Sequence, residues 1–512
     1  MKKIKETIEQ ILHLNETQKV AEKMPQVTNQ EVNLLNSSRK NFPKKYFVYI
    51  PENLCVDELI QNNPVDIPHF HKDKLIYIIS LIYSIPIRLK DYDFEDENGF
   101  IPINSEVAKS RVREYDKYLE YLVNTRVFEK REDYKYLAGG KSSGYRFTEI
   151  YNTAPKRTFI TWKRLIKAIC KINKKEEEIF VDTYERPLEY LEKWWNDKIQ
   201  FDYYGAKKWL DEQLIKEQAE GKQHCKEKYH VRKLVIEKFR NRDYILHQDA
   251  TTGRVHSLLT QLKSELRQFI KYDGKTLVAV DITNSQPFLA MALLNQNTYS
   301  KNMKERLRIY NNRQDINSSI MLTLSNQEFE NNKDLQEFKH FVSSGKFYEM
   351  FGDLLVKNGL EQETDPKKLR KITKKIMFAS MFGHNNEKCK VKIKKDNKKT
   401  GQVKYIPNTG MILFKETFPT VFEIFRTIKM GKHNTLACML QNLEAELVLH
   451  SACKIISEEN PNVPLFTLHD SIVTTEENAK YVQRVLSDVL LNAIGIAPTI
   501  NYEEWILKEK VA

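Results

Sequence analysis

The sequence predicts an α+β protein of several domains, and three observations lead to this prediction. The chain has 512 residues and 41% hydrophobic content, enough for two to four domains with full cores. Charged helical patterns fill most of residues 160–248. Short apolar strands that end in an acidic residue occur later, at residues 276–281 and 464–470. Helices and strands are therefore both expected.

The overall charge of the chain favours a polyanionic partner. Lysine and arginine total 82 against 69 acidic residues, and the pI is near 9.1, which favours nucleic acid. The six cysteines form no C-x-x-C pair, so a disulfide scaffold or zinc module is excluded as the organising principle. The N-terminus lacks a signal-peptide pattern, and the longest apolar run, residues 75–87, contains a proline. We expect a cytoplasmic protein with no membrane partner.

The first half of the chain is divided into three parts. Residues 1–45 resemble a polar appendage, and residues 46–155 form a small accessory unit. In that unit Asn104 or Ser105 is expected to begin a helix that reaches about Asn124, and two strands follow around a loop at residues 139–144. This is the outline of a winged-helix module, whose wing can lie on a phosphate backbone; an ordinary α+β subdomain is an equal alternative. Residues 156–249 are mostly helical.

A carboxylate stands at the end of the first apolar strand. Thr276–Val280 forms a buried-strand pattern that stops at Asp281, and a helix-like apolar run follows from Pro287. Such an acid suits Mg²⁺, which prefers one or two carboxylates together with waters and substrate phosphates. The alternative is that Asp281 only caps the next turn.

A second acid follows the strand at Pro464–Leu468. His469 and Asp470 come next, and then a short apolar run, so the pattern predicts a hairpin with an acid at its tight turn. Two acids on neighbouring strands can hold two metal ions about 3.5 to 4 Å apart, as phosphoryl transfer requires.

Between these strands lies a predicted helix, PKKLRKITKKIMFASMFGH. Arg370, Lys374, Phe378 and Phe382 are spaced by four and line one face. Ile372, Ile376 and Ala379 lie on the opposite side and are expected to pack into the body. The cations suit a triphosphate and the rings a base or sugar, although a solvated basic helix is the simpler alternative.

These three segments resemble motifs A, B and C of the family A polymerases, a group of bacterial repair polymerases and phage replicases related to single-subunit RNA polymerases. Motif B of that family has the register of Arg370, Lys374, Phe378 and Phe382-Gly383, and motif C has the pair His469-Asp470. TTGRVHS at 251–257 resembles the T-x-G-R element, LQNLEAEL at 440–447 the glutamine-bearing helix, and NYEEW at 501–505 the last strand. The resemblance covers about residues 250–512.

The resemblance implies a right-hand polymerase with palm, fingers and thumb. The thumb-like helices would occupy 156–249, the palm 250–300 and 436–512, and the fingers 301–435, with a basic β-hairpin in the lysine-rich stretch 388–404. It also implies a role for each matching residue. Asp281 and Asp470 would bind two Mg²⁺ ions, or Mn²⁺. Arg370 and Lys374 would bind the nucleoside triphosphate, Phe378 its sugar, and Phe382 with Gly383 the templating base pair. His469 would lie near the primer terminus, and Arg254 and Gln441 would contact the DNA primer-template, with a structural hydrogen bond as an equal alternative for those two.

Departures from the family pattern concern the choice of sugar. In the DNA-making members a glutamate ends the short run after the motif A aspartate and blocks a ribose 2′-hydroxyl. Residues 282–287 contain no glutamate, so either Gln286 is the gate against ribose or there is no gate. Phe382 lacks the phenol of the RNA-making relatives, whereas Ser471 resembles their motif C. The position of the T-x-G-R element favours the DNA-making branch, and no proofreading exonuclease is recognised. We expect a DNA polymerase of a phage or mobile element; RNA polymerase or primase activity, with an RNA template or product, is one alternative, and a nucleic-acid-binding initiator or defence protein on the same fold is the other.

Overall fold

The computed structural model describes most of the chain from residue 43 onwards. The described residues are 43–88, 92, 94, 97–131, 143–170, 189–249, 252–294, 332–383, 390–393, 404–407, 409–430 and 433–506. Most of the predicted appendage, the wing loop and the start of the predicted fingers lie outside them. None of the described helices has the length and apolar character needed to cross a bilayer. The described elements are a mixture of helices and antiparallel strands, so the α+β prediction is confirmed.

The N-terminal unit combines four helices, α1 to α4, with a small three-stranded sheet of order β2-β4-β3 and the two-stranded pair of β1 with β5. Asn104 caps a helix as predicted, since its side chain accepts a hydrogen bond from the backbone N–H of Val107. The single helix predicted from there to Asn124 is wrong, because the chain leaves the helix at the buried, extended Val112 and a second helix begins at Tyr115. The elements are β1 (Tyr46–Pro51), α1 (Val56–Asn62), α2 (Lys72–Arg88), β2 (Ile101–Pro102), α3 (Ser105–Arg111), α4 (Tyr115–Asn124), β3 (Phe128–Lys130), β4 (Gly144–Phe147) and β5 (Pro155–Ile160).

Strand β5 crosses the boundary expected at residue 155. It pairs antiparallel with β1 along its whole length, with Tyr46 opposite Ile160 and Pro51 opposite Pro155. Residues 163–170 are helical, and the apolar side chains on this stretch, Leu165 among them, belong to the same core as α2 and α4. The N-terminal unit therefore extends to about residue 170, because strand β5 and the helix at 163–170, both beyond the expected boundary, contribute to its sheet and its core.

The central sheet has the order β13-β14-β10-β9-β6, and β15 also pairs with β10; all the pairings are antiparallel. Alternate residues of β10 enter different cores, with Val278 and Val280 on one face and Leu277 and Ala279 on the other. The sheet is therefore packed on both sides, which fixes its register. The elements leading into and including β10 are α5 (Glu189–Glu192), β6 (Ile199–Phe201), α6 (Tyr203–Ala219), α7 (Cys225–Arg240), β7 (His247–Gln248), β8 (Val255–His256), α8 (Leu258–Gln261), β9 (Ile270–Tyr272) and β10 (Lys275–Ile282).

A mainly helical part follows β10 and covers one face of the sheet. A π-helix, Glu446–Cys453, continues α15 into α16. The basic hairpin predicted at 388–404 is confirmed as a backbone pairing of β11 with β12, Val391 opposite Ile406; the loop between them lies outside the described residues. The elements are α9 (Ser285–Ala290), α10 (Lys333–Ser343), α11 (Phe347–Lys357), α12 (Pro366–Phe382), β11 (Lys390–Ile393), β12 (Lys404–Pro407), α13 (Thr409–Thr417), α14 (Pro419–Ile428), α15 (Thr435–Ala445), α16 (Lys454–Glu459), β13 (Phe466–Leu468), β14 (Ser471–Thr475), α17 (Ala479–Ile494) and β15 (Ile500–Glu504).

Helix α12 confirms the predicted helix but not its buried face. The prediction placed Ile372, Ile376 and Ala379 in the body, whereas these residues are only partly buried. The buried side chains are Thr373, Met377, Ser380 and Met381. The helix is turned because the two methionines fill the core, while Ile376 packs beside Gly410, where a Cβ atom would come within 2.4 Å of the isoleucine.

Candidate active site

The fold brings the two predicted metal-binding aspartates together. Asp281 is the next-to-last residue of β10 and lies opposite Ser471, the first residue of β14. Asp470 immediately precedes Ser471, in a two-residue turn closed by the pairing of Leu468 with Ser471. His469 occupies the other turn position with φ 57°, in the left-handed region that such turns require. The sequence-predicted hairpin therefore places Asp470 beside Asp281.

The electrostatics of Asp281 show the effect of a neighbouring acid. Burial, Asp470 and Glu503 together raise the pKa of Asp281 to about 6, against the opposing effects of Ser471 and Lys374. The Ser471 hydroxyl donates a hydrogen bond of 2.5 Å to Asp281 Oδ1. The repulsion between the two carboxylates is relieved either by a proton on Asp281 or by a cation between them.

The donor set suits an ion that completes its coordination with other ligands. Among the described residues, no cluster of three or more histidine, cysteine or acidic side chains is arranged to hold a metal ion. Two carboxylates alone are a poor site for zinc, but they are what Mg²⁺ uses when waters and substrate phosphates supply the remaining ligands. Asp281 and Asp470 therefore fit a magnesium site that is completed by its substrate.

Helix α12 presents its row of cations and rings beside these acids. Lys374 is exposed, forms no ion pair with any described residue, and lies near enough to Asp281 to oppose the rise of its pKa. Its ammonium group is 5.4 Å from the centre of the Phe378 ring, and the rings of Phe378 and Phe382 are 5.5 Å apart. The predicted row is thus continuous along the helix.

Arg370, the first residue of the row, is oriented by three neighbours. Its Nε donates to Glu349 Oε1 at 2.7 Å, and its Nη2 to Asn284 Oδ1 at 3.5 Å. The guanidinium also lies 5.3 Å from the centre of the Tyr348 ring. Because the arginine and Glu349 are both about 40% exposed, their ion pair is weak.

The C-terminal end of α12 is tied down by a buried lysine. Lys429 Nζ donates to the carbonyl oxygens of Ser380, at 3.0 Å, and Gly383, at 3.2 Å. Gly383 itself must lack a side chain, since a Cβ atom there would come within 2.4 Å of the carbonyl oxygen of Ala379. The lysine therefore offsets the negative end of the helix dipole and fixes the position of Phe382.

Gly253 and Arg254 of the T-x-G-R element lead directly into β8, which pairs antiparallel with β7. Gly253 has φ 70°, and a Cβ atom there would lie 3.1 Å from that of Ala445, so glycine allows the hairpin to approach α15 closely. Arg254 then forms two hydrogen bonds of 2.7 Å, from Nε and Nη2, to the carboxylate of Glu444. The structural hydrogen bond considered for Arg254 is therefore present, and its contact with a duplex stays a prediction.

Gln286 and Gln441 also lie near Glu444. Gln286 is only 8% exposed, and its amide nitrogen donates to Glu444 Oε2 at 2.9 Å. Gln441 is half-buried on α15, three residues before Glu444. Sequence reasoning singled out both glutamines but missed Glu444.

Sequence reasoning missed four further residues at this site: Asn284, Tyr348, Glu349 and Lys429. Asn284 has φ 53°, and its amide nitrogen donates to the carbonyl oxygen of Gly345 at 2.6 Å, so it joins the end of β10 to the start of α11. The one available signal was its position in the short link between Asp281 and the apolar run. Nothing in the local sequence marks Tyr348 and Glu349.

Comparison with known proteins leaves the identity of the chain open. No known protein family and no curated protein matches the sequence. Among solved structures, the chain is similar to the POL domain of Pol1 from M. smegmatis in complex with DNA primer-template and dNTP. The identity is 11% and the TM-score 0.29, over 67% of this chain and 76% of that one. At this level of similarity, membership of the polymerase family remains a prediction from the motifs.

Proposed function

We propose that this protein is a template-directed nucleotidyltransferase, and specifically a primer-dependent DNA polymerase. One observation carries the proposal. Asp281 and Asp470 meet at the end of adjacent strands, and Lys374 of α12, which has no ion pair among the described residues, acts on the carboxylate of Asp281. Phosphoryl transfer requires carboxylates that hold metal ions and, beside them, a positively charged side chain that binds the phosphates.

The proposed reaction joins a primer to a nucleotide. The primer 3′-oxygen, on losing its proton, attacks the α-phosphorus; a P–O bond forms, the bond to the bridging oxygen breaks, and pyrophosphate leaves. Asp281 and Asp470 would hold Mg²⁺, which when bound supplies charge stabilisation for both oxygens. The Ser471 hydroxyl fixes one oxygen of Asp281 and so orients its carboxylate.

The cations of α12 would hold the triphosphate. Lys374 can bind phosphate oxygens without breaking an ion pair with any described residue. Arg370 would give up its ion pair with Glu349 to bind them, while Asn284 and Tyr348 keep its guanidinium in place. The Phe378 ring next to Lys374 offers an apolar surface to the sugar. These roles follow from the helix row and are proposals for each residue.

The N-terminal unit would add affinity for duplex nucleic acid. Its element order, α2-β2-α3-α4-β3-β4, and sheet order, β2-β4-β3, agree with the winged-helix outline expected from the sequence. Arg113, just before α4, and Lys117, in its first turn, are exposed. Replacing both by alanine should weaken duplex binding and flatten its salt dependence, with turnover on saturating template unchanged.

A primer-extension assay tests the proposal. A labelled primer on DNA or RNA templates is supplied with dNTPs or NTPs in turn, and we expect extension with dNTPs on DNA. Asp281→Ala and Asp470→Ala should abolish extension while duplex binding persists, because the basic surface supplies most of that affinity. Asp273→Ala is the matched control, since this aspartate lies in an exposed turn of the same sheet, paired with Lys198.

The outcomes distinguish the alternatives. Extension with NTPs in preference to dNTPs would assign the protein to RNA synthesis. Phe382→Tyr should raise the use of NTPs relative to dNTPs, because the added phenol can hydrogen-bond a 2′-hydroxyl. A wild-type protein that binds duplex but extends nothing under any of the four combinations would overturn the enzyme proposal in favour of a nucleic-acid-binding protein.

A further inference from the structure

A cluster of two cations and two aromatic rings lies on the outer face of the ribbon that β1 forms with β5. Phe47 lies directly opposite Phe159 in the register of the two strands, and their rings meet edge to face with centres 6.3 Å apart. The Arg157 guanidinium lies 3.4 Å from the centre of the Phe47 ring, and the Lys45 ammonium 4.8 Å from that of Phe159. We call these four residues the ribbon patch.

The two rings of the ribbon patch do not belong to the hydrophobic interior. Successive side chains of a strand point to opposite faces, and Val48, Ile50 and Ile160 of the inner face lie in the core of the N-terminal unit. Phe47 and Phe159 neither belong to nor pack against any core of the described residues. Phe159 is 44% exposed. Because a large ring in water forfeits the gain from burial, we expect the pair to meet a partner.

Arg157 is held in place by a buried acid. Its Nε donates to Asp243 Oδ2 at 3.0 Å and its Nη2 to Oδ1 of the same carboxylate, which is 6% exposed. Tyr49 donates to this carboxylate from the same outer face, so the residues after α7 cover that end of the ribbon. The end that carries Phe47 and Phe159 is left open, and the fixed guanidinium orients the Phe47 ring.

The sequence around the ribbon patch is strongly basic. Residues 155–170 contain five lysines and arginines and no acid. Lys163 and Arg164, at the start of the helix that follows β5, are exposed and form no ion pair with any described residue. Cations beside exposed rings are typical of surfaces that bind single-stranded nucleic acid, because the cations pair with phosphates and the bases stack on the rings. In a duplex the faces of the bases are already stacked on one another, so the rings favour an unpaired strand.

The segment that precedes β1 is a poorer candidate for this surface. Residues 1–42 carry seven lysines and arginines against five glutamates, a net charge of +2. A basic surface repels a basic segment and attracts a polyanion. The charge therefore favours nucleic acid as the occupant.

We propose that the ribbon patch is a binding site for single-stranded DNA, with Phe159 stacking against a base and Lys45 and Lys163 contacting phosphates. The site lies outside residues 250–512, which carry the resemblance to polymerases. It would bind a strand whether or not catalysis takes place elsewhere in the chain, so the inference does not depend on the proposed function.

Binding of a labelled oligo(dT) of about 20 nucleotides tests the stacking role. Fluorescence anisotropy is measured with the full-length protein in a chelator and without nucleotides. We expect Phe159→Leu, which keeps an apolar side chain but loses the aromatic face, to weaken binding roughly five- to a hundredfold. Phe159→Trp should bind at least as tightly as the wild type. Ile150→Ala is the matched control, because Ile150 is an apolar residue of the same unit, is 68% exposed and should leave the affinity unchanged.

The salt dependence of the same binding tests the cations. Lys45→Ala should reduce the slope of log affinity against log salt by about 0.7, as expected for the loss of one phosphate contact with a single strand. Lys222→Ala removes an exposed lysine that is paired with Glu220, and it should leave the slope unchanged. Equal slopes for Lys45→Ala and the wild type would remove Lys45 from the site.

Four results would overturn the inference, and each has its own meaning. Phe159→Leu binding oligo(dT) as tightly as the wild type would exclude stacking. An equal loss of affinity for a blunt duplex in Phe159→Leu would assign duplex binding, and tighter binding of oligo(U) would assign an RNA site. Binding of polyglutamate with the same dependence on Phe159 would assign an acidic peptide. A wild type that binds oligo(dT) through Phe159 but extends no primer would overturn the proposed function and keep this inference.

Discussion

Replacing Asp281 by asparagine should stabilise the metal-free protein while abolishing its activity. The pKa of this carboxyl is raised from 3.8 to about 6 by burial and by the charge of Asp470. The unfolded chain releases the proton near pH 4, whereas the folded chain retains it to about pH 6, so folding loses stability as the pH rises between these values. Asparagine does not ionise and escapes this loss.

The magnitude follows from the same difference. Each pH unit is worth about 1.4 kcal/mol, so the penalty above pH 6 is about 3 kcal/mol at most. The carboxylate is only partly buried, and solvent screening reduces the figure to about 1 to 2 kcal/mol. Asparagine also keeps an oxygen that can accept the hydrogen bond from Ser471.

Thermal unfolding in a chelator at pH 7.5 and at pH 4 measures the effect. We expect Asp281→Asn to unfold a few degrees above the wild type at pH 7.5 and at the same temperature at pH 4. Asp273→Asn, in an exposed turn of the same sheet with φ 51°, is the control and should change little. Added Mg²⁺ should stabilise the wild type and Asp273→Asn but not Asp281→Asn. A variant less stable than the wild type at pH 7.5, or equally shifted at both pH values, would show that Asp281 does not carry this repulsion.

Three other predictions concern the cations of α12 and a buried histidine. Lys374→Ala should lower the rate of nucleotide insertion roughly 10²- to 10³-fold, since a cation aimed at developing charge is worth about 2.7 to 4 kcal/mol. Lys371→Ala, at an exposed position, should lower this rate far less, and equal losses would mean that the helix face is wrong. Glu349→Gln should lower the apparent KM for nucleotide by about two- to fivefold, because it frees Arg370 from an exposed ion pair, and a raised KM would contradict that competition. Burial lowers the pKa of His230 to about 4, so the free energy of unfolding should fall by up to about 3 kcal/mol as the pH falls from 6.5 to 4. A His230→Gln variant that loses as much stability over this range, measured by denaturant titration, would rule this out.

Local signals in the sequence were sufficient for the parts of the site that lie within one element. The strand before Asp281, the two-residue turn at Asp470 and the four-residue spacing on α12 depend on backbone periodicity and turn geometry, and the structure contains all three. The buried side of α12 was missed because it depends on which side chains the neighbouring helices can accommodate. Periodicity shows which residues share a face of a helix, but not which of its faces packs against the rest of the protein.

The boundary of the N-terminal unit could not be predicted for a related reason. Strand β5 lies just past a change in composition, yet it pairs with β1 more than a hundred residues earlier. Tyr49 and Arg157, on these two strands, both bond the carboxylate of Asp243 beyond α7. Contacts of such sequence separation leave no periodic trace in a single sequence, so composition alone placed the boundary too early.

The Arg254–Glu444 pair shows why such long-range contacts matter for function. A buried ion pair is weak evidence of stabilisation, because the cost of removing both charges from water offsets their attraction, and apolar residues of similar size often serve as well. Stability is therefore a poor reason for a fully buried Glu444 beside α9. An ionised carboxylate can do one thing that a leucine cannot, which is to dictate the orientation of the Gln286 amide. If stability were its only purpose, an apolar pair at 254 and 444 should leave the relative use of dNTPs and NTPs untouched. If it positions Gln286 as the gate against ribose, an Arg254→Met/Glu444→Leu double variant should remain folded and use NTPs more readily.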